Sequence, residues 1–272
     1  MENNVIVVKL GGTEGVNFSA ICQDAAGLLA LGSQLVLVHG GSAEASQLGE
    51  TVGYPPRFIT SPSGYTSRYT DRRTLEIFAM AVNGKVNTLL VEDLQRLGVN
   101  ALGLSGLDGR LMVATRKETI QSIENGKRKI IRDDYTGKIE SINKQLLQTL
   151  LGSGYLPVIA PLAVSTAGEA LNVDADRAAA MLAVALQAET LLLLTAVPGL
   201  MRRFPDESTI IRNLASQELA EALNYAEDRM KKKVLGAQEA IRGGVKRVII
   251  ADGRVRNPIS DALAGKGTII AC

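Results

Sequence analysis

The sequence predicts an α/β fold, a three-layer α-β-α sandwich around a mainly parallel open sheet, and three observations point to it. Apolar runs of strand length alternate with amphipathic runs of helix length along most of the chain. The strand-like runs are apolar throughout, as expected of strands covered on both faces. Alanine, leucine, valine and glycine dominate, aromatics make up 4% and tryptophan is absent, which suits helices packed closely on a sheet. With 272 residues, 46% of them hydrophobic, the chain can bury a large core, so disorder is excluded as a description of the whole.

Taken in order, residues 5–10 form a β-branched run that reads as the first strand. Residues 17–31 have helical spacing and stop before Gly32, residues 34–38 read as the second strand, and residues 42–50 as the second helix. After a Pro/Gly-rich loop, residues 71–97 predict one long helix closed by Gly98. Its proposed inner face carries Leu75, Phe78, Val82, Val86, Leu89, Leu90, Leu94 and Leu97. Residues 99–104 predict a strand. Residues 110–138 interrupt the alternation, because β-prone pieces at 111–115 and 129–132 flank Glu124-Asn125-Gly126-Lys127, a hairpin signal. Alternation resumes with helix 141–151, strand 155–160, helix 176–187, strand 190–194, helices 216–224 and 228–242, strand 246–250 and a last strand at 267–271. A division into two lobes falls near 161–172, where Pro161 and Gly168 sit in what reads as a polar loop.

Several function classes drop out on composition. Net charge is only +2 and aromatics are scarce, which argues against a nucleic-acid stacking platform. No uncharged apolar run reaches the roughly eighteen residues of a membrane span, and Met1-Glu2-Asn3-Asn4 lacks a basic signal region. A soluble, cytoplasmic protein is expected. Cys22 and Cys272 have no metal-ligand spacing and read as unpaired thiols.

The chemistry concentrates at strand ends. Lys9-Leu10-Gly11-Gly12 closes the first strand and His39-Gly40-Gly41 the second; in open α/β sheets ligands gather outside the carboxyl ends of strands. Glycines there let backbone N–H groups approach a phosphate, while a lysine supplies point charge. Each corner alone is equally a tight turn. Lys9 tips the balance, since a lysine ending an apolar strand needs a charged partner. Asn172-Val173-Asp174-Ala175-Asp176 opens an alanine-rich helix, where one acid can be a cap and the second is left for another contact. Of Lys231, Lys232 and Lys233, helical spacing turns Lys233 inward. Arg68 is suited to a two-pronged grip on a carboxylate, or to a surface ion pair with Asp71. The single histidine, His39, is not needed as a base, because a carboxylate substrate is already ionised.

Taken together, Lys9-Leu10-Gly11-Gly12, His39-Gly40-Gly41, Gly64 with Arg68, Asn172 through Asp176, and Lys233 resemble the amino acid kinase superfamily, in its acetylglutamate kinase branch, over the whole chain. More narrowly, Tyr54-Pro55-Pro56-Arg57, Ser67-Arg68-Tyr69-Thr70-Asp71, Leu104 through Gly109 and Tyr135-Thr136-Gly137-Lys138 resemble the lysine-biosynthetic kinases that phosphorylate α-aminoadipate on an amino-group carrier protein. The resemblance implies a substrate-binding lobe over 1–165, bearing the basic hairpin 110–138, and an ATP-binding lobe over 166–272. It implies that Lys9, Lys233 and Asp176 are catalytic. Gly40, Gly41, Gly64, Arg68 and Asn172 would bind substrate, and Gly11, Gly12, Thr195, Val197 and Gly199 would bind ATP. Ala196 and Ser42 depart from the pattern: relatives often carry Asp or Asn at the first position, and acetylglutamate kinases commonly carry glycine at the second.

Mg2+ is implied with ATP, although no ligand cluster is specific enough to hold it. An acidic carrier protein bearing the substrate, a downstream acyl-phosphate reductase and a homodimer through 71–97 are the implied partners. Residues 110–138 hold eight Lys or Arg against four acids, so the rest of the chain is net negative, and a cationic hairpin can steer an acidic carrier. The alternatives are an N-acetylglutamate kinase of arginine synthesis and a non-catalytic sensor on the same fold. A dinucleotide dehydrogenase ranks below both, because no Gly-x-Gly-x-x-Gly follows the first strand.

Overall fold

The first strand, β1 (Val5–Leu10), is buried along its whole length, and its side chains alternate between two cores. Val5 and Val7 face one core, whereas Ile6, Val8 and Leu10 face the other. This alternation puts Lys9 on the Val5–Val7 side. In the computed structural model the described residues are 5–12, 15–62, 64, 66–117, 119–124 and 127–271, those at 124, 228 and 229 for backbone only. Met1 to Asn4, the Asn125-Gly126 turn and Cys272 therefore lie outside them.

The remaining elements are α1 (Phe18–Ala30), β2 (Gln34–His39), α2 (Ser42–Thr51), β3 (Phe58–Thr60), β4 (Thr66–Arg68), α3 (Arg72–Ala79), α4 (Thr88–Arg96) and β5 (Ala101–Ser105). There follow β6 (Met112–Arg116), β7 (Ile120–Glu124), β8 (Lys127–Ile131), β9 (Gly137–Ile142), α5 (Lys144–Gly152), β10 (Leu156–Ala160), β11 (Leu162–Val164) and β12 (Ala170–Asn172). The chain ends with α6 (Ala175–Leu186), β13 (Thr190–Thr195), β14 (Asn213–Ala215), α7 (Leu219–Ala222), α8 (Asp228–Arg242), β15 (Arg247–Asp252), α9 (Pro258–Leu263) and β16 (Thr268–Ala271).

Eight strands form one continuous sheet in the order β14-β16-β15-β13-β1-β2-β10-β5. It is parallel except at β15–β16. Helices α6 and α8 cover one face and α1, α4 and α9 the other, which is the expected sandwich. Thus β1 lies near the sheet's centre, and its carboxyl end opens between the β1–α1 and β2–α2 turns.

Several sequence expectations are corrected. The helix expected over 71–97 has a π-helical stretch, Met80–Asn87, between α3 and α4. The wider turn shifts the helical phase, so Leu89 and Leu97 are exposed while Leu75, Phe78, Val82, Val86, Leu90 and Leu94 are buried. The basic hairpin is real, but its first strand is 120–124, paired with 127–131, rather than 111–115. Met112–Arg116 instead pairs antiparallel with β9 and buries Met112 and Ala114 in the large core. Turn length sets the hairpin register, and it selects the polar β7 over the more apolar β6.

The helix expected from residue 141 begins at Lys144, because Ser141 and Ile142 finish β9 and Asn143 caps by accepting from Leu146 N at 3.2 Å. The region 161–172 is not a polar loop; β11 and β12 form an antiparallel hairpin with Leu162, Ala163 and Leu171 buried. Helix 216–224 shrinks to a 3-10 turn, Ser216–Glu218, followed by the single turn α7.

Candidate active site

Lys9, Asp176 and Lys233 meet on the α6–α8 face of the sheet. Strand alternation aims Lys9 there, Asp176 stands in the first turn of α6, and Lys233 lies in the second turn of α8. The Lys9 Nζ is 2.8 Å from Asp176 Oδ1, and the Lys233 Nζ donates to both carboxylate oxygens at 3.0 and 3.1 Å. All three are buried. Capping of α6 falls to Asp174, which accepts from the N–H groups of Asp176 and Arg177 at 3.0 and 3.1 Å. The Asp176 carboxylate is thereby left to the lysines.

A packing detail sets the distance between the helices. A Cβ on Gly236 would stand 3.3 Å from the Asp176 carbonyl oxygen, so α8 approaches α6 closely one turn after Lys233.

Two ammonium groups around one carboxylate leave this buried cluster with net positive charge. Burial works against ionisation of Asp176, but the charges of Lys233 and Lys9 outweigh it and hold the carboxyl well below the usual range. Burial also lowers Lys9, yet Asp176 outweighs it and the net shift is upward. For Lys233 burial prevails, joined by repulsion from Lys9, and its pKa is pushed down to about 8. Such an arrangement is best relieved by an incoming anion.

The two glycine corners adjoin this cluster and touch one another. A Cβ on Gly12 would stand 2.5 Å from the Gly41 nitrogen and 2.8 Å from Gly40 atoms, so only backbone fits between them. Gly11 packs under the end of β13, its Cβ position 3.7 Å from the Thr195 Cα. Among the described residues, the N–H groups of Gly12 and Gly41 have no hydrogen-bond acceptor. Two unmet N–H donors beside a cationic cluster are suited chemically to an anionic group such as a phosphoryl.

His39 is fully buried behind the second corner and its pKa is lowered to about 4 by burial, with a smaller push from Lys9. It is neutral at ordinary pH and stands as a hydrogen-bonded core residue. Arg68 is buried as well. Its Nη2 donates to the Ser42 carbonyl at 2.9 Å and to the Ser42 and Ser46 hydroxyls at 3.1 and 2.9 Å, and its guanidinium lies over the Phe58 ring. The alternative pairing with Asp71 is not made; Asp71 accepts from the Tyr54 hydroxyl and the Thr74 N–H.

Asn172 ends β12, with its Nδ2 donating to Thr70 Oγ1 at 3.1 Å. Thr195 ends β13 next to Gly11, and Val197 follows it half-buried. Two expected residues stand apart. Gly64 lies at the exposed tip of the β3–β4 hairpin with nothing within 4 Å of its Cβ position, and Gly199 is packed on Thr268 of β16.

Sequence reasoning missed Asn87, Asp134 and Gly236. Asn87 sits one residue past the apolar Val86, a buried polar position that was itself a signal. Asp134 is buried and bridges Thr70 N and Thr136 N, tying the segment after the basic hairpin to the strand that carries Arg68. Cys22 is buried in α1, its thiol pushed up to about 12 chiefly by burial, and it is inert.

Comparison with known proteins agrees with this geometry. The sequence pattern of the amino acid kinase family matches residues 4–252. A LysW-aminoadipate kinase of Deinococcus radiodurans is 56% identical over 98% of this chain and 92% of its own. One from Thermus thermophilus is 54% identical over 98% of this chain and 100% of its own. Among solved structures, an N-acetylglutamate synthase of Neisseria gonorrhoeae, complexed with coenzyme A and N-acetyl-glutamate, superposes with a TM-score of 0.81 at 28% identity. It covers 100% of this chain and 60% of that longer one.

Proposed function

The chain belongs to the amino acid kinase family, and from that premise we propose that it phosphorylates the side-chain carboxylate of α-aminoadipate held on an amino-group carrier protein. ATP is the phosphoryl donor and the product is an acyl phosphate, a step of lysine synthesis. The observation that carries this reading is the buried Lys9–Asp176–Lys233 cluster beside the unmet N–H groups of Gly12 and Gly41.

A substrate carboxylate oxygen attacks the γ-phosphorus, a new O–P bond forms, and the bond to the β-phosphate oxygen breaks with its electron pair leaving on ADP. No proton needs to move, so positioning and charge neutralisation suffice. Lys9 and the glycine N–H groups meet the charge on the transferring group, and Lys233 meets the charge on the departing β-phosphate. Asp176 holds both lysines in place, its oxygens accepting from them. Among the described residues no group of three His, Cys, Asp or Glu could hold a metal. Mg2+, when bound, would be carried by the ATP phosphates and would offset their charge.

In this proposal residues 1–165 form the acyl-substrate lobe, with Gly40, Gly41 and Arg68 joined by Asn172 in holding the substrate, and 166–272 bind ATP together with Gly11 and Gly12. Thr195 and Val197 border the nucleotide. The proposed carrier is acidic and docks on the β7–β8 hairpin. Cross-strand pairing puts Gln121, Ile123, Arg128 and Ile130 on its outer face, with Ile123 and Ile130 exposed and Ser122 and Ile131 buried beneath. A reductase consuming the reactive acyl phosphate, a homodimer through the exposed Met80, Leu89 and Leu97, and a cytoplasmic setting complete the proposal. Among the described residues no helix is long and apolar enough to cross a membrane.

The test is ADP release in the presence of carrier-linked aminoadipate, for the wild type and for Lys9→Met and Lys233→Met. Substrate-dependent release lost in both variants is the expected result; ADP release indifferent to the carboxylate substrate contradicts the proposal.

A further inference from the structure

We infer that His39 is a positioning residue for phosphoryl transfer, acting through the peptide between Gly40 and Gly41. The inference rests on the kinase reading above and adds a residue to it.

The hydrogen bonds define the ring's state. His39 Nδ1 lies 2.6 Å from the Gly40 carbonyl oxygen, which can only accept, so Nδ1 carries the hydrogen. On the far side, Asn87 Nδ2 stands 2.9 Å from the Val158 carbonyl oxygen, which fixes the amide's nitrogen end there. The same nitrogen lies 3.0 Å from His39 Nε2, which must therefore be the bare acceptor. Every bond in the chain Val158, Asn87, His39, Gly40 thus has one permitted direction.

The consequence lies in the peptide plane. In a trans peptide the carbonyl and the N–H point in opposite directions. Holding the Gly40 oxygen against the ring turns the Gly41 N–H away from the ring; the Gly41 nitrogen borders Gly12, and its N–H has no acceptor among the described residues. Neither glycine has a side chain to stiffen this turn, and Gly41 caps α2 without a side-chain hydrogen bond. The ring supplies the constraint. The π-helical stretch delivers it: Asn87 closes that stretch, and Val82 within it packs on Gly41, whose Cβ position is 2.6 Å from Val82 Cγ1. Directed N–H groups are worth most when fixed before the reaction, so His39 contributes to kcat without touching substrate.

The test uses the fact that this is the chain's single histidine. Imidazole 15N spectra of histidine-labelled protein are expected to report the Nδ1–H tautomer, unchanged between about pH 6 and 8. The Nε2–H tautomer, or titration in that range, overturns the inference without touching the kinase reading.

Kinetics then separate positioning from packing. Asparagine places an amide donor where Nδ1 was, glutamine places one where Nε2 was, and leucine places none. His39→Asn is expected to keep kcat within about fivefold, while His39→Gln and His39→Leu lose on the order of a hundredfold, with the KM for ATP little changed in all three. Equal kcat in all three, or glutamine outperforming asparagine, overturns the inference. Losses that track only the thermal midpoint do so too. A wild type that phosphorylates no carboxylate substrate fails the kinase reading first and removes this role with it.

Discussion

One carboxylate facing two lysines is an expensive arrangement for a folded protein, and its cost depends on which partner is removed. Asp176→Asn would leave two buried ammonium groups uncompensated, and it is expected to lower stability by about 3–5 kcal/mol as well as abolish activity. Lys233→Met leaves the neutral Lys9–Asp176 pair; the thermal midpoint is expected to hold or rise while phosphoryl transfer is lost. Thermal melts of the two variants check this, and a Lys233→Met protein as unstable as Asp176→Asn would contradict it. The pH dependence follows from the same charges. Lys233 titrates near 8 when folded, against an ordinary value of 10.5, so the unfolded chain holds more protons between those limits. Relative to Lys233→Met, the wild type is expected to gain stability as pH rises from about 8 to about 10.5, and kcat/KM to fall as the ammonium is lost.

This part of the site was legible in the sequence because each feature is local: a lysine ending an apolar strand, a second acid past a cap, one inward lysine of three. The partners of Arg68 were not, since Ser42 and Ser46 reach it only through the fold.

Between elements, the contact of α6 and α8 sets the distance from Asp176 to Lys233. Gly236→Leu would push the helices apart at the Asp176 carbonyl, and a shift of about 1 Å is expected to cost roughly a hundredfold in kcat. Measured kcat within a few-fold of the wild type would show that α8 does not set the geometry. The central strands and their flanking helices were readable from periodicity, because strands covered on both faces and helices with apolar stripes leave strong patterns. The hairpin pairing and the β11–β12 strands were not. Their registers depend on which edges meet in the folded protein, and Met112–Arg116 is the more apolar choice that the turn does not select. The π-helical stretch likewise has no periodic signature of its own; Asn87 on the buried face is its one trace.

At the scale of the whole molecule, charge is segregated. The region 110–138 is basic while the remainder is slightly acidic, so the proposed acidic carrier is expected to be steered to the β7–β8 hairpin. Reversing Lys127, Arg128 and Lys129 to glutamate is expected to raise the KM for carrier-linked substrate several-fold at low salt, with a smaller effect at high salt, while sparing the KM for ATP. Unchanged low-salt kinetics would remove the docking surface from the account but leave the catalytic cluster intact.

The central claim is the substrate, and hydroxylamine trapping of the acyl phosphate tests it most directly. With ATP and Mg2+, the purified chain is offered carrier-linked aminoadipate, carrier-linked glutamate and free N-acetylglutamate in parallel. Hydroxamate formed fastest from carrier-linked aminoadipate is the result expected. Preference for free N-acetylglutamate would keep the fold and the lysine clamp but contradict the carrier.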